Sequence, residues 1–461
     1  MSQNSLEQVL QTVGSPVQML RNSQIGPYAF PVVRHEFTNW RDEQRSWRET
    51  CALFDQSHHM TDLYVEGPDA LKLLTDLGVN SFKTFKVDTA KQIVVCNHQG
   101  YVIGDAILFY LAPEKFNIVG RPPVANWVQY HVETGGYNAT AVRDERSAVN
   151  EGRRKAYRYQ VQGPNALKVM EKVTGKPVPE IRFFNMGVFE VAGCQVRALR
   201  HGMVGQPGWE LFGPWEEGER VRDAIVAAGQ EFGIRQVGAR TYPTSTIESG
   251  WIPSPLPAVY TGDDMKPYRQ WLTSKSYEAM ASLGGSYYSD NIADYYLTPW
   301  DLGYGAIVKF DHDFIGRPAL EKMAEHVSRK KVTFVWNGDD VAQAFGSLFG
   351  GGGDTAGNIT KYIDLPLCNY ATLPFDRVMK DGKRVGLSTY TAYTFNERAI
   401  LSLGCVDLAH SEPGTEVSVI WGEEGGGSTK PTVERHAQVT IRATVAPAPY
   451  AEVARVAYRP K

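Results

Sequence analysis

Long apolar runs, paired cysteines and surplus positive charge are all missing from this 461-residue chain, and each absence removes a class of function. No stretch approaches the ~18 consecutive apolar residues that a membrane helix needs. The opening MSQNSLEQVLQ lacks the basic-then-apolar order of a secretory leader, so a cytoplasmic location with no membrane partner is expected. The five cysteines, Cys51, Cys96, Cys194, Cys368 and Cys405, are scattered, odd in number and never spaced as CxxC. That argues against a disulfide scaffold or structural zinc and for reduced core thiols. His58 and His59 are neighbours, which point to different sides of a helix or strand, so no metal site is expected. A net charge of -3 leaves no basic surplus for a phosphate backbone, which excludes nucleic acid as a partner. Neither a GxGxxG nor a Walker loop occurs. The runs Gly350–Gly353 and Gly425–Gly427 are not followed by Lys-Ser/Thr and a helix, and read as flexible loops.

What is present is an ordinary globular composition, 43% apolar and 21% charged, in a chain too long for one hydrophobic core. Ser5–Arg21 has helical spacing, while Val33–Phe54 gives no clear period. A strand-like run, Thr61–Val65, leads through Gly67-Pro68 into a helical Asp69–Leu77, with Asp69 at or near the first turn. The signature returns as Tyr159–Val161, Gly163-Pro164 and Asn165–Val173, so GPDALK at Gly67 is echoed by GPNALK at Gly163. Between the copies, Lys91–Val95 and Asp105–Tyr110 flank an Asn97–Gly100 turn as a hairpin, followed by a strand at Phe116–Val119 and a helix at Ala125–Thr134. Strands and helices mix without strict alternation, which favours α+β. After about Lys330 the runs Lys331–Trp336, Leu387–Tyr393, Arg398–Val406, Glu416–Trp421 and Thr432–Val445 predict a β-rich domain. The expected division is 1–330, two interleaved α+β subdomains, and 331–461, a β domain.

Several strings, in order, resemble the folate-binding aminomethyltransferase family typified by the T-protein of the glycine cleavage system. They are the two GPxAL turns, GYVIGD at Gly100–Asp105, RHGMVGQPGWELF at Arg200–Phe212, Gly238-Ala239-Arg240 with Glu248-Ser249-Gly250, and FDHDFIGRPAL at Phe310–Leu320. Within it, RNSQIG, FDQSHHM, VGRPPVANW, ESGWIPSPLPA, WNGDD and VIWGEE resemble the bacterial aryl O-demethylases of lignin-derived vanillate, 3-O-methylgallate and syringate. The resemblance implies a T-protein-like multi-domain fold, with folate-binding α/β domains around a central cavity and a jelly-roll-like C-terminal β-barrel. It also implies tetrahydrofolate as methyl acceptor, a methoxylated aromatic acid as donor, and neither metal nor corrinoid.

Departures from the T-protein are informative. Its paired acids become Gly104-Asp105, leaving one carboxylate where the amine substrate is handled. Its acid after the GAR string is missing, the chain reading Arg240-Thr241-Tyr242-Pro243, and in the aryl O-demethylases a tyrosine in this region is catalytic. The resemblance carries that role to Tyr242. A phenolate leaving group has a conjugate acid near pKa ~10, close to reference tyrosine, so balanced proton transfer is expected. The plain alternative is a core tyrosine bonded to a backbone carbonyl.

Arg121, just past a strand, has the planar fork that suits a benzoate carboxylate, a role the subgroup also suggests; a surface ion pair is the alternative. His59 is the candidate to hydrogen-bond the phenolic hydroxyl beside the methoxy group. Tyr28 and Trp251 are candidates to stack on an aromatic ring, with simple core as the alternative for Trp251. For folate, Glu210 matches the family carboxylate that pairs with the pterin edge, and Gln162 stands beside the second Gly-Pro turn. Asp105 either contacts folate, supports the site or caps a strand end. The rival readings are an aminomethyltransferase or aliphatic demethylase of the same family, and a non-catalytic folate-binding protein. The last has a KGCY-x-GQE string, whereas His201–Gln206 here holds no cysteine. A corrinoid D-x-H-x-x-G box is not matched. The preferred methoxybenzoate and the oligomeric state are not encoded in any of these motifs.

Overall fold

The computed structural model describes residues 4–150, 152–253, 255–349 and 359–456, so Gly350–Gly353 lies outside the described residues. Ser5 and Gln8 form a reciprocal capping box that starts α1 (Leu6–Val13), and Gly14, left-handed at φ 78°, ends it. Pro16 then opens α2 (Pro16–Asn22) behind a Ser15 cap. The helical run expected over Ser5–Arg21 is therefore two helices, divided by that glycine. The unassigned Val33–Phe54 resolves into α3 (Trp40–Glu49), capped by Asn39, and β1 (Cys51–Asp55).

The GPxAL repeat is a repeat of structure. The first unit runs β2 (Thr61–Glu66), α4 (Ala70–Leu77), β3 (Ala90–Cys96), β4 (Val102–Ala112), β5 (Lys115–Gly120), α5 (Pro122–Thr134) and β6 (Thr140–Asp144). The second runs β7 (Ala156–Gln162), α6 (Ala166–Thr174), β8 (Met186–Val191), β9 (Cys194–Arg200), β10 (Gly208–Pro214), α7 (Gly218–Gly229) and β11 (Ile234–Val237). Their sheets have orders β3-β4-β5-β2-β6 and β8-β9-β10-β7-β1-β11, with β1 reaching across from before the first unit. All neighbours are antiparallel except β1 and β11.

In both units the strand turns into its helix at a glycine of nearly the same conformation, Gly67 at φ 135° and Gly163 at φ 132°. A Cβ there would lie 2.5 Å from the Asn138 carbonyl oxygen or 2.7 Å from that of Thr50, and neither backbone has room to give. Asp69, expected near the first turn of α4, stands at its N-cap, but its carboxylate accepts from Asn138 N instead of capping the helix.

Each sheet buries one face under its own helices. Leu63, Val65, Ile93, Val95, Leu108 and Ile118 join α4 and α5 in one core, and Leu53, Tyr159, Val161, Trp209 and Leu211 join α6 and α7 in another. The opposite faces meet through Phe109 and Phe212, whose rings lie 5.4 Å apart, with Val119, Met186 and Leu199 around them.

Six antiparallel strands, Arg329–Trp336, Asp376–Lys380, Lys383–Thr394, Ala399–Asp407, Glu416–Trp421 and Val439–Ala446, close into a barrel. Closure leaves no unpaired edge. Asp376–Lys380 had no clear sequence signal, and the run expected from Thr432 becomes strand only at Val439. Gly425–Gly427 is a turn, but a tied one: Gly426 is buried and its carbonyl accepts from His436 N. No helix among the described residues is long and apolar enough to cross a membrane.

Gly163→Ala is expected to cost on the order of 1–3 kcal/mol, from the strained φ and the clash with Thr50. Urea unfolding measures it, and an unchanged midpoint would show that the Thr50–Cys51 backbone relaxes.

Candidate active site

The inward face of the second sheet is polar although it is buried. On β7, Arg158, Gln160 and Gln162 alternate with the core residues Tyr157, Tyr159 and Val161, and Gln160 lies opposite both Phe54 of β1 and Glu210 of β10. Placing four such side chains out of water is costly unless each finds a partner. Glu210 Oε1 accepts from Arg158 Nη1 at 2.5 Å, and Arg158 Nη2 donates to Asp62 Oδ1 at 3.0 Å on the facing sheet. Asp62 Oδ2 accepts from Arg154 Nη2 at 2.7 Å, and Arg154 Nε lies 3.2 Å from Asp144 Oδ2. The Arg158 guanidinium also sits 5.0 Å from the Phe109 ring centre and 4.8 Å from that of Phe212.

Gln160 Nε2 donates to the His201 carbonyl at 2.8 Å, and Gln162 Oε1 accepts from Met203 N at 2.7 Å. Hydrogen-bonding capacity is left over: Gln56 Oε1, Gln160 Oε1, Gln162 Nε2 and His201 Nδ1 are buried with no partner. Orphaned buried groups of both polarities on one face call for a polar ligand. A pterin, with N–H donors and ring acceptors along one edge, fits this donor and acceptor set.

Tyr242 adjoins that face. It opens a short 3-10 turn, Tyr242–Thr244, after β11, and its ring lies 5.2 Å from Phe54, 4.7 Å from His59 and 4.8 Å from Phe30. Its hydroxyl oxygen accepts from Gln56 Nε2 at 2.9 Å, not from the backbone. Burial pushes the phenol well above its ordinary value, so it stays protonated.

The turn is fixed from two sides. Glu43 of α3 accepts from Gly238 N at 2.9 Å and from Thr241 Oγ1 at 2.5 Å. Tyr390 of the barrel donates to the Pro243 carbonyl at 3.0 Å. Glu248, three residues beyond Ser245, accepts from Trp47 Nε1, Arg48, Thr394 Oγ1 and Asn396 Nδ2.

His59 lies against Phe30, with ring centres 4.5 Å apart. Burial first, then the positive charge of Arg121, pushes its imidazole down to about 3, so it is neutral at physiological pH. Its carbonyl accepts the Tyr28 hydroxyl, and the Arg121 guanidinium lies 4.0 Å from the centre of the Tyr28 ring. Arg121 follows β5 directly and stands at the N-cap position of α5 without a side-chain capping bond, so its place after the strand is as expected. His58 points elsewhere, to Ser147 Oγ at 2.9 Å.

Four of the expected residues, Tyr28, His59, Arg121 and Tyr242, thus form one cluster, with Glu210 and Gln162 on the adjoining face. Trp251 and Asp105 form a separate pair: the indole Nε1 donates to Asp105 Oδ2 at 3.0 Å, beside Gln92 Nε2 at 2.7 Å. Burial raises the Asp105 carboxyl above its ordinary value. The indole N–H is thereby committed, and Asp105 is no strand-end cap.

The profile of the GCVT N-terminal domain matches residues 16–254, more than half of the chain. The chain belongs to the GCVT family. Among curated GCVT relatives it is 49% identical to a syringate O-demethylase of Sphingobium sp. strain SYK-6, over 98% of this chain and 97% of that one. It is 30% identical to a sesamin methylene transferase of Sinomonas sp. strain No.22, over 90% of each. The aminomethyltransferase T of the glycine cleavage system from Bartonella henselae shares the fold, with a TM-score of 0.59 at 18% identity over 93% of this chain and 92% of that one.

Beside the GCVT motifs stand residues that had not been singled out: Gln56, Phe30, Arg158, Glu43 and Tyr390. Gln56 lay within the quoted FDQSHHM string, and Arg158 within YRYQVQ, where polar residues alternate with Tyr and Val as a two-faced strand requires. Phe30, Glu43 and Tyr390 had no local signal, because each matters through a partner far away in sequence. Among the described residues no cluster of His, Cys, Asp and Glu could hold a metal.

His58, His59, His131 and His201 are all held below the usual imidazole range, burial being the first cause in each. Below about pH 6.5 an unfolded histidine takes a proton that these four refuse. The unfolded state then binds more protons, so stability falls as pH drops from there, for His59 until its native value of about 3 is reached. Denaturation midpoints measured from pH 7 to pH 5 should decline, and His59→Gln should flatten the slope; parallel curves would contradict the assignment.

Proposed function

We propose that the chain is a tetrahydrofolate-dependent aryl O-demethylase, which moves the methyl group of a methoxylated aromatic acid such as syringate, vanillate or 3-O-methylgallate onto folate. One observation carries this reading: a buried protonated tyrosine, a neutral histidine and an arginine–tyrosine stack converge beside a buried sheet face with hydrogen-bonding capacity to spare. The 49% identity to a syringate O-demethylase supports it, and so does the single acid at Gly104-Asp105. Five unpaired buried cysteines suit a cytoplasmic setting.

Bound folate supplies the nucleophile, N5, and leaves as 5-methyltetrahydrofolate. Glu210, oriented by Arg158, together with Gln160 and Gln162, would hold the pterin edge. Arg121 takes the substrate carboxylate, and its stack on Tyr28 keeps the guanidinium plane fixed. His59, neutral, hydrogen-bonds the phenolic hydroxyl next to the methoxy group. Holding the methyl carbon in line with the nucleophile is worth roughly 7–11 kcal/mol of barrier, more than any single proton donor.

The O–CH3 bond breaks, the N–CH3 bond forms and the negative charge arrives on the aryl oxygen, which would gain the proton that N5 gives up, so that the products are the phenol and 5-methyltetrahydrofolate. Burial changes what Tyr242 does there. Burial holds its phenol above the ordinary tyrosine value, which favours donating a hydrogen bond to the developing oxyanion over surrendering the proton. The balanced transfer expected from sequence assumed an ordinary tyrosine. Gln56, donating to the Tyr242 oxygen, leaves the hydroxyl proton free to point at the substrate. Water exclusion strengthens that bond.

Tyr242→Phe should lower kcat about 10²–10³-fold with KM within a few-fold, in assays of syringate and vanillate with tetrahydrofolate. Turnover within a few-fold of the parent would remove the donor role. Arg121→Ala should raise KM for these acids roughly tenfold to a hundredfold, the worth of a charge-assisted pair. An unchanged KM would show that the carboxylate is held elsewhere.

A further inference from the structure

We propose that Arg146 is a second arm of the carboxylate clamp, closing with Arg121 on the acid group of the aromatic substrate and selecting acids over neutral rings of the same shape. The inference rests on the demethylase reading for its substrate class. Its geometry stands apart from that reading.

The Arg146 guanidinium lies 5.3 Å from the centre of the same Tyr28 ring that carries Arg121 at 4.0 Å. Two guanidiniums gathered on one ring repel each other, and the partial burial of both leaves that repulsion less screened than in open water. Arg146 is carried there by the loop after β6. Ser147 N donates to the His58 carbonyl at 2.9 Å and Ser147 Oγ meets His58 Nδ1 at 2.9 Å, which seats the loop against the turn that bears His59.

The local acid answers Arg146 only at the limit of ion-pair range. Glu145 Oε2 accepts from Arg143 Nε at 2.7 Å, and Oε1 is occupied by Arg146 N at 2.9 Å and by the Thr61 hydroxyl. Arg146 Nε is 4.0 Å from Glu145 Oε1, beyond hydrogen-bond range, and is buried with no partner. Tyr277, whose ring centre is 6.5 Å from that of Tyr28, adds a second buried donor without a partner, its hydroxyl. Orphaned donors beside two clustered cations are the pattern that a bound carboxylate completes, with the planar fork of each arginine matching its oxygens.

Calorimetric titration of syringate and of its methyl ester into wild type, Arg146→Gln and Arg146→Lys tests the clamp, with thermal melts of each variant as the folding control. Arg146→Gln is expected to bind the acid at least tenfold more weakly while ester affinity stays within twofold, and Arg146→Lys should recover part of the loss. Equal losses for acid and ester, or no loss for either, would overturn the assignment. Turnover with tetrahydrofolate is scored separately: acid-selective binding without turnover counts against the demethylase reading and leaves the clamp standing.

Discussion

The buried chain of alternating charges Glu210, Arg158, Asp62, Arg154 and Asp144 is the constraint on which the rest of the molecule is built. It crosses from one sheet to the other where two apolar faces would ordinarily meet. Each ion in it has lost its water, and such pairs repay that cost only when the geometry is good and the remaining lone pairs are used. Asn117 Nδ2 on Asp62 Oδ1 and Lys155 N on Asp144 Oδ2 supply those further bonds. The register of both sheets is therefore tied to one set of ion pairs, and a shift of one residue in β7 would turn Arg158 into the helical core. The same chain presents Glu210 to the inter-sheet space as an oriented acceptor. A single arrangement thus sets the spacing of the halves and aims the proposed pterin ligand.

The aromatic cluster depends on a different set of ties. Tyr242 belongs to no long element, and a short 3-10 turn cannot hold a side chain by its own hydrogen bonds. Glu43, Gln44 and Glu248 do so instead, drawing α3, the turn and the barrel strand Lys383–Thr394 into one buried polar group. The barrel therefore contributes to the site without lining much of it: its Tyr390 and Thr394 brace the turn that carries Tyr242. Polar groups in this number specify one arrangement of the backbone, because every partner left unmatched in an alternative packing would cost the full desolvation of a buried group.

Much of this was legible in the residues. Gly67 and Gly163 announced the duplicated turn, and Tyr159–Val161 marked the strand that leads into its second copy. Arg121, His59, Tyr28 and Tyr242 were named from strings far apart in the chain, and the fold gathers them into one cluster. Trp251 and Asp105 were also named, but they satisfy each other, a pairing that depends on β4 meeting the coil after Gly250. Phe30, Glu43, Arg146 and Tyr390 stayed silent, since the period of a coil, helix or strand does not name the distant partner that a single residue will meet.

By itself the sequence determined which segments turn and alternate, because those follow from the chemistry of neighbours: the Gly-Pro turns and the strand periods. It also determined the family, through motifs spread along the chain. Tertiary structure decided what the site residues are. Whether Tyr242 is an ordinary phenol or one held protonated, whether His59 is a cation or neutral, and whether Arg146 meets Arg121, all depend on desolvation and on charges from distant segments. Such quantities are properties of packing, and no local pattern contains them.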